Sequence, residues 1–363
     1  MKATKLSKSM AGIASRSPSE RLRGESRYVV LADLRMGDGG GKDELAGQKK
    51  ALFDILGKWY LPRGYTLILN GDIEDLRRFW LKDIFAAWPE VYALFDAFNE
   101  KSKLRKIVGD RDLALLRLRS YPYALSHALR LDGESNSVLV FHGHQASPPY
   151  YGSDYLADYM VRWQGYPGRA SSKECQEDRG ERFKAERRMY RAASSLRIIA
   201  IQGHTRRPLF ESKTNRDSVR SEIERLLREG DPKGSDSKVD KLIEIYRREE
   251  KRHARRSLPS GPAYDPRSLV VPCLFSPGRL IGGNAQGGRA LRMLELEDGF
   301  INLVRWVEAT PGEGPARGSE APPRSGGGFP YLRLEARSAS VQGLFERIEL
   351  LARGDEERKE DMP

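Results

Sequence analysis

Three aspartates and two histidines each stand at or just after the end of a short apolar run in this 363-residue sequence. They are Asp33, Asp72, Asp110, His142 and His204. Carboxylate oxygens and imidazole nitrogens together bind divalent metals, and such metals polarise phosphoryl oxygens and generate hydroxide near neutral pH. The residue types therefore indicate a metal centre suited to the hydrolysis of a phosphoester.

Three arginines lie within two residues of these acids and histidines: Arg35, Arg111 and Arg206. An arginine is always cationic and has no lone pair to give a metal, so none of the three is a candidate ligand. Two interpretations stay open. In the first, Arg35 and Arg206 bind a substrate phosphate, which suits the guanidinium fork. In the second, the three arginines neutralise the three aspartates in a metal-free cluster.

Five apolar runs lead to these residues and predict short buried strands. The runs are Tyr28–Ala32, Tyr65–Asn70, Lys106–Val108, Ser137–Phe141 and Arg197–Gln202. Between them, Glu44–Trp59 and Leu81–Asn99 carry apolar residues at helical spacing. This alternation predicts a layered α/β fold, in which the carboxyl ends of the strands open onto a shared crevice.

The main domain is expected at residues 27–210 and 268–310, with additions around it. Residues 1–26 are basic and rich in serine without the apolar stretch of a signal peptide, which predicts a disordered tail. Residues 211–267 contain two charged amphipathic stretches, which predict an inserted helical hairpin.

The C-terminal part divides into three expected segments. A stretch rich in glycine and proline at 311–329 predicts a flexible linker. Residues 330–354 predict a strand followed by a helix, and residues 355–363 a charged tail.

Composition narrows the classes of partner. The net charge of +12 favours anions, but lysine and arginine are scattered and no nucleic-acid-binding module is recognisable, so nucleic acid is not the expected ligand. No apolar run approaches the roughly 20 residues of a membrane-spanning helix. Two distant cysteines, Cys175 and Cys273, suggest a reducing compartment, and we expect a cytoplasmic location.

Five short motifs occur in a fixed order, each after a predicted strand. They are Asp33-Leu34-Arg35, Gly71-Asp72-Ile73-Glu74-Asp75, Gly109-Asp110-Arg111-Asp112, Phe141-His142-Gly143-His144 and Gly203-His204-Thr205-Arg206. Together they resemble the signature of the calcineurin-like metallophosphoesterases over about residues 27–307. The resemblance implies a four-layer αββα sandwich with two sheets flanked by helices.

The resemblance also implies a role for each motif residue. Asp33 matches the carboxylate of the first metal, and Asp72 matches the carboxylate that bridges two metals. The second metal would be held by Asp72 together with three further residues. These are Asp110, where asparagine is usual, His142 and His204.

The departures from the family pattern are the arginines. Arg35 and Arg206 replace both imidazoles of the first metal, so at most one divalent ion, manganese or similar, is expected. Arg111 replaces the histidine that assists the leaving group, as in the UDP-diacylglucosamine pyrophosphatases, whose third motif this sequence resembles. Arg111 and Asp112 are the expected catalytic residues. His144 is expected to lie next to the metal ligands and to hydrogen-bond to them without binding the metal itself.

The implied function is binding of a phosphoester, either a small molecule, a lipid or a nucleotide, and its hydrolysis with one metal plus arginines. The alternative is an inactive relative that serves as a binding or scaffold protein. Under either interpretation, the hairpin at 211–267 is a candidate surface for a protein partner.

Overall fold

The structure is a computed structural model that describes residues 5–134, 136–146, 179–214, 223, 271–283, 289–309, 319–320 and 329–360. Within these residues the strands form two main sheets and one separate two-stranded pair. The α/β class predicted from the sequence is confirmed, and two sheets with helices are consistent with the metallophosphoesterase sandwich. No helix among the described residues is long and apolar enough to cross a membrane.

The larger sheet has a parallel centre and antiparallel additions. Its central strands are β2 (Tyr28–Leu31), β3 (Thr66–Asn70) and β4 (Leu104–Ile107), which pair in parallel. The sheet is completed by β5 (Leu125–Ser126), β12 (Ile281–Gly283), β13 (Arg289–Glu297), β14 (Phe300–Glu308), β15 (Ser319–Glu320) and β16 (Tyr331–Ser340). The order is β15-β16-β14-β13-β2-β3-β4-β5, with β12 also paired to β13.

The smaller sheet supplies the second set of strand ends. Its strands are β1 (Ser19–Arg21), β6 (Ala128–Asp132), β7 (Ser137–Phe141), β8 (Ile199–Gln202) and β11 (Leu274–Phe275), in the order β1-β6-β7-β8-β11. Strands β7 and β8 are parallel to each other. The separate pair is β9 (Leu209–Phe210) with β10 (Lys213–Thr214).

Six helices occur in the described residues: α1 (Lys5–Arg16), α2 (Lys49–Ile55), α3 (Leu81–Ala87), α4 (Pro89–Glu100), α5 (Arg179–Leu196) and α6 (Val341–Glu360). Side chains of β2 alternate between two cores: Val29 and Leu31 belong to the cluster with α2 and α4, whereas Val30 belongs to the cluster that contains the smaller sheet. Both faces of β2 are therefore buried, which explains its uninterrupted apolar sequence.

The prediction that residues 1–26 form a disordered tail is wrong for residues 5–26, the part of that segment that the structure describes. It forms helix α1 and strand β1, and β1 pairs in parallel with β6. Leu6 and Met10 lie one turn apart and are buried in the same core as the smaller sheet. A stripe of so few apolar residues among lysine and serine is a weak signal, and tertiary packing forms the helix.

The predicted helix over Leu81–Asn99 is divided in two. Helix α3 ends before Trp88, and Pro89 starts α4 at a position where its missing N–H is not needed. The indole N–H of Trp88 donates to the backbone oxygen of Gly37 at 2.9 Å. The break therefore anchors the loop that follows β2.

Most of the expected insertion at 211–267 lies outside the described residues. Its first four residues belong to the main fold, because Lys213 and Thr214 form β10 and the hydroxyl of Ser212 donates to the backbone oxygen of Val271 at 2.7 Å. The expected linker at 311–329 contains β15, which pairs with β16. The expected tail at 355–363 is helical as far as Glu360, since α6 continues to that residue.

Candidate metal centre

The two sheets contribute different ligand types to one buried site. Asp33 and Asp72 follow β2 and β3, and Asp110 follows β4, so the larger sheet supplies the carboxylates. His142 follows β7 and His204 follows β8, so the smaller sheet supplies the imidazoles. All five residues are buried. The structure thus brings together the five residues that the sequence singled out as metal ligands.

His142 lies at the centre of the site with a defined orientation. Its Nδ1 lies 3.0 Å from the backbone oxygen of Asn70, which can only accept, so Nδ1 carries the proton and donates. Its Nε2 faces Asp72 Oδ1 at 3.3 Å and Asp110 Oδ1 at 3.2 Å. A lone pair facing two anionic oxygens requires a proton or a cation between them.

The pKa of His142 reflects this arrangement. Burial alone lowers it, but the charge of Asp72 and the hydrogen bonds to Asp110 and Asp72 outweigh burial and raise the pKa of His142 well above its ordinary range. The neighbouring carboxylates thus favour the protonated, cationic form of the ring when no metal is bound.

Asp110 joins both histidines. Its Oδ1 lies 3.0 Å from His204 Nδ1 as well as 3.2 Å from His142 Nε2, and its Oδ2 accepts from Arg77 Nη2 at 2.8 Å. Burial raises the pKa of Asp110, but the charge of His204 and the hydrogen bonds from both histidines hold it well below its ordinary value.

The carboxylates of Asp33 and Asp72 carry buried oxygens without hydrogen bonds. Both oxygens of Asp33, and Oδ2 of Asp72, have no hydrogen-bond partner among the described residues. Burial raises the pKa of Asp33 in spite of the positive charges nearby. Buried anionic oxygens are costly unless they are hydrogen-bonded or ligate a metal. Asp33, Asp72 and His142 offer ligand atoms within 4.8 Å of one another, so the residues fit a divalent cation.

The backbone at the strand ends is in an unusual conformation. Five residues of the motifs have φ between 52 and 56°: Asp33, Arg35, Asp72, His204 and Arg206. The left-handed region is costly for residues other than glycine and persists where the surrounding structure enforces it. Gly71, with φ of 76°, meets His142 so closely that a Cβ there would lie 2.4 Å from Nδ1. These turns aim the ligands into the site.

Two of the three motif arginines are paired outside the three aspartates. Arg206 Nη2 donates to Glu44 Oε2 at 2.6 Å. Arg111 Nη1 donates to Asp75 Oδ1 at 2.6 Å, and its Nε lies 3.8 Å from Asp72 Oδ2. Arg206 and Arg111 thus each have an acidic partner outside the three aspartates, while Arg111 also lies within ion-pair distance of Asp72.

Arg35 interacts electrostatically with two of the candidate metal ligands, Asp33 and Asp72. It is buried, and burial together with the charge of Arg206 lowers its pKa, whereas the negative charges of Asp72 and Asp33 raise it. Its guanidinium thus lies in the field of the same carboxylates that would hold a cation.

Asp112, expected to be catalytic, connects the two loops that carry Asp72 and Asp110. Its Oδ2 accepts from the backbone N–H of Ile73 at 2.9 Å and its Oδ1 from that of Gly109 at 2.5 Å. Lys106 Nζ donates to Oδ2 at 2.8 Å. This geometry gives Asp112 a positioning role.

Lys106 and Glu74 form a buried network that the sequence analysis missed. Lys106 Nζ donates to Glu74 Oε2 at 2.8 Å, and both side chains are fully buried. The hydroxyls of Tyr92 and Tyr121 donate to Glu74 Oε1 at 3.0 and 2.8 Å. The signal was present in the sequence, because a lysine within a buried strand requires an acidic partner.

His144, expected outside the ligands, lies close to them. Its ring centroid is 5.5 Å from that of His142 and 6.5 Å from that of His204. Asp110, His142 and His144 offer ligand atoms within 4.8 Å of one another. Burial and the charge of His142 lower the pKa of His144 well below its ordinary range, which favours the neutral ring.

No family model matches the sequence, and no curated protein matches it. Among solved structures, the chain is similar to a conserved, uncharacterised protein from Streptococcus pneumoniae TIGR4 that is described as a predicted phosphoesterase. The identity is 10% and the TM-score 0.28, and the match covers 77% of this chain and 88% of the other.

Two further solved structures are similar to this chain with comparable identities and TM-scores. Yfce, a phosphoesterase from E. coli, is 11% identical with a TM-score of 0.32, over 76% of this chain and 91% of the other. Vacuolar Protein Sorting 29 from Cryptosporidium parvum is 10% identical with a TM-score of 0.30, over 77% of this chain and 90% of the other. Two of the three are described as phosphoesterases.

Proposed function

We propose that this chain is a calcineurin-like metallophosphoesterase that binds a phosphoester through one divalent cation and arginines. The cation would be held by Asp72, Asp110, His142 and His204, with Asp33 facing it. One observation supports this most strongly: three buried oxygens of Asp33 and Asp72 lack hydrogen bonds among the described residues, and the other oxygen of Asp72 lies 3.3 Å from Nε2 of His142. A metal-free cluster would leave these oxygens near basic side chains but without hydrogen bonds.

A bound divalent cation would polarise the phosphoryl oxygens and lower the pKa of a bound water. The side chains around it have separate tasks. Arg35 binds the phosphate, because its buried guanidinium interacts electrostatically with the ligands Asp72 and Asp33. Arg111, held by Asp75 beside Asp72, stabilises negative charge on the leaving group. Asp112 fixes the loops of Asp72 and Asp110.

The competing function is a scaffold without catalysis, supported by the loss of both first-metal imidazoles to Arg35 and Arg206. Elemental analysis of protein purified without chelator, combined with turnover of p-nitrophenyl phosphate and bis-p-nitrophenyl phosphate in manganese, separates the two. We expect close to one cation per chain and slow turnover. One cation without turnover supports a binding protein, and no cation contradicts the proposed metal centre.

The ligand assignment has its own test. Asp72→Asn should weaken manganese binding by more than the roughly 10- to 100-fold typical of residues that only contact a metal ligand. Asp132→Asn is the matched control, because Asp132 pairs with Arg130 at 2.8 Å away from the site. Equal manganese affinity in the two variants would contradict the assignment.

A further inference from the structure

Glu44 lies among several arginines beside the candidate metal centre. Its Oε2 accepts from Arg206 Nη2 and from Arg279 Nη2, both at 2.6 Å. Arg78 Nη2 lies 3.6 Å from the other oxygen, Oε1. One carboxylate therefore stands among three guanidiniums.

A second acid near this cluster, Asp75, is itself paired with two arginines. Arg78 and Arg111 both pair with Asp75, through distances of 2.5 and 2.6 Å. Four guanidiniums thus meet two carboxylates, Glu44 and Asp75, and one of the four, Arg111, also lies 3.8 Å from Asp72. Burial raises the pKa of Glu44, but the charge and hydrogen bond of Arg206 and the charge of Arg279 hold it at about 2. The local field strongly favours an anion.

The backbone presents Glu44 to the arginines. The neighbouring Asp43 is buried and accepts through Oδ2 from the N–H groups of Gly37 at 2.9 Å and Gly39 at 3.0 Å. Its Oδ1 accepts from the N–H of Leu45 at 2.9 Å. The loop is therefore fixed on both sides of Glu44, while the Glu44 side chain itself is 27% exposed to solvent.

This arginine cluster borders the metal centre through two shared loops. Arg206 follows His204 by two residues, and the backbone N–H of Arg279 donates to the backbone oxygen of Arg206 at 3.3 Å. The charge of Arg35, two residues after Asp33, also acts on Glu44. An anion bound among Arg206, Arg279 and Arg78 would lie next to a phosphate bound at the metal.

We propose that Arg206, Arg279 and Arg78 form a second anion site, that Glu44 fills it when no ligand is bound, and that the ligand is a phosphoester with a second phosphate group. This proposal rests on the proposed function only in so far as the first phosphate binds at the metal. A phosphate offers more acceptor oxygens to these guanidinium forks than the single carboxylate that now meets them. Ligand binding then displaces Glu44 towards solvent.

The test compares two anions on four proteins by calorimetry. The anions are methylenediphosphonate and methylphosphonate, each measured with manganese and with chelator. The proteins are the wild type, Glu44→Gln, Glu44→Gln combined with Arg279→Ala, and Glu297→Gln. Glu297 is the matched control, because it pairs with Arg27 at 3.0 Å and its side chain is 23% exposed.

We expect Glu44→Gln to bind methylenediphosphonate about ten-fold or more tightly than the wild type, because no carboxylate has to be displaced. The gain should be smaller for methylphosphonate, absent in Glu297→Gln, and lost when Arg279→Ala is added. Arg279 is 45% exposed, so its removal should leave the fold intact.

Three results would overturn the second site: unchanged affinity in Glu44→Gln, an equal gain in Glu297→Gln, or an equal gain for both anions. The manganese stoichiometry is measured on the same samples. If no protein holds manganese but Glu44→Gln still binds methylenediphosphonate more tightly in chelator, the proposed metal centre fails while the second anion site stands.

Discussion

Asn70 and His142 bind each other's strand ends and so join the two sheets at the candidate metal centre. His142 Nδ1 donates to the backbone oxygen of Asn70 at 3.0 Å, while Asn70 Nδ2 donates to the backbone oxygen of Phe141 at 3.1 Å. Asn70 is the last residue of β3, and Asp72 follows it by two residues. The orientation of the central imidazole is therefore set by the same strand that places Asp72.

The first prediction concerns the buried charge of Asp33. Without metal, Asp33→Asn should stabilise the protein, on the order of 1–3 kcal/mol, because it removes an anion whose oxygens lack hydrogen bonds. Asparagine also tolerates the left-handed backbone at this position. The free energy of unfolding, measured by urea denaturation in chelator, tests this.

Manganese should reverse the ranking. A saturating cation stabilises the wild type by about 2.7 kcal/mol at a hundred times its dissociation constant, and Asp33→Asn should gain less. If Asp33→Asn is destabilised in chelator and gains as much from manganese as the wild type, Asp33 does not face a cation.

The second prediction concerns Lys106. Lys106→Met should destabilise the protein by about 3–5 kcal/mol, because Glu74 and Asp112 would be left as buried charges without their cation. Lys58 also pairs with an acid, Asp54, but its side chain is 54% exposed. Lys58→Met should therefore cost less than about 1 kcal/mol.

The same pair of variants tests whether Asp112 positions the ligand loops. At temperatures where both variants are folded, Lys106→Met should bind manganese more weakly than Lys58→Met, since Asp112 ties the loops of Asp72 and Asp110. Equal manganese affinity would limit the Lys106 network to stability.

The sequence predicted the strand ends well because both faces of the central strands are buried. Runs such as Tyr28–Leu31 are apolar throughout and stop at a polar residue, so the end of each strand is visible without knowledge of its neighbours. The ligand set follows from those ends. Helix α1 was missed because its apolar stripe depends on contacts with the distant helix α5 and strand β6.

The pairing of the arginines could not be predicted for a different reason. Arg206 and Glu44 are 162 residues apart, and nothing in either local sequence shows that their loops meet. From the sequence, an aspartate was the expected partner of Arg206, because both belong to motifs that should converge. Glu44 belongs to no motif, so it was not considered.

The third prediction concerns acid stability. The pKa of Glu44 is lowered from 4.5 to about 2, so its ion pairs contribute stability above pH 4.5 and lose it as the pH falls towards 2. The difference in free energy of unfolding between the wild type and Glu44→Gln should therefore shrink over this range. Glu297→Gln provides the comparison, and a difference that stays constant from pH 5 to pH 3 would contradict the depressed pKa.

The last prediction concerns the arginines that replace histidines. In the double variant Arg35→His with Arg206→His, both first-metal imidazoles return beside Asp33 and Asp72, so the manganese content should rise from one to two per chain. Affinity for methylphosphonate, measured at saturating manganese, should fall roughly ten- to a hundred-fold, because Arg35 no longer binds the phosphate. Arg111 is unchanged and should not prevent hydrolysis, so turnover of bis-p-nitrophenyl phosphate should increase. A rise in manganese with undiminished phosphonate affinity would show that Arg35 and Arg206 only balance charge. If manganese content, phosphonate affinity and turnover all stay the same, these strand ends are not the functional site.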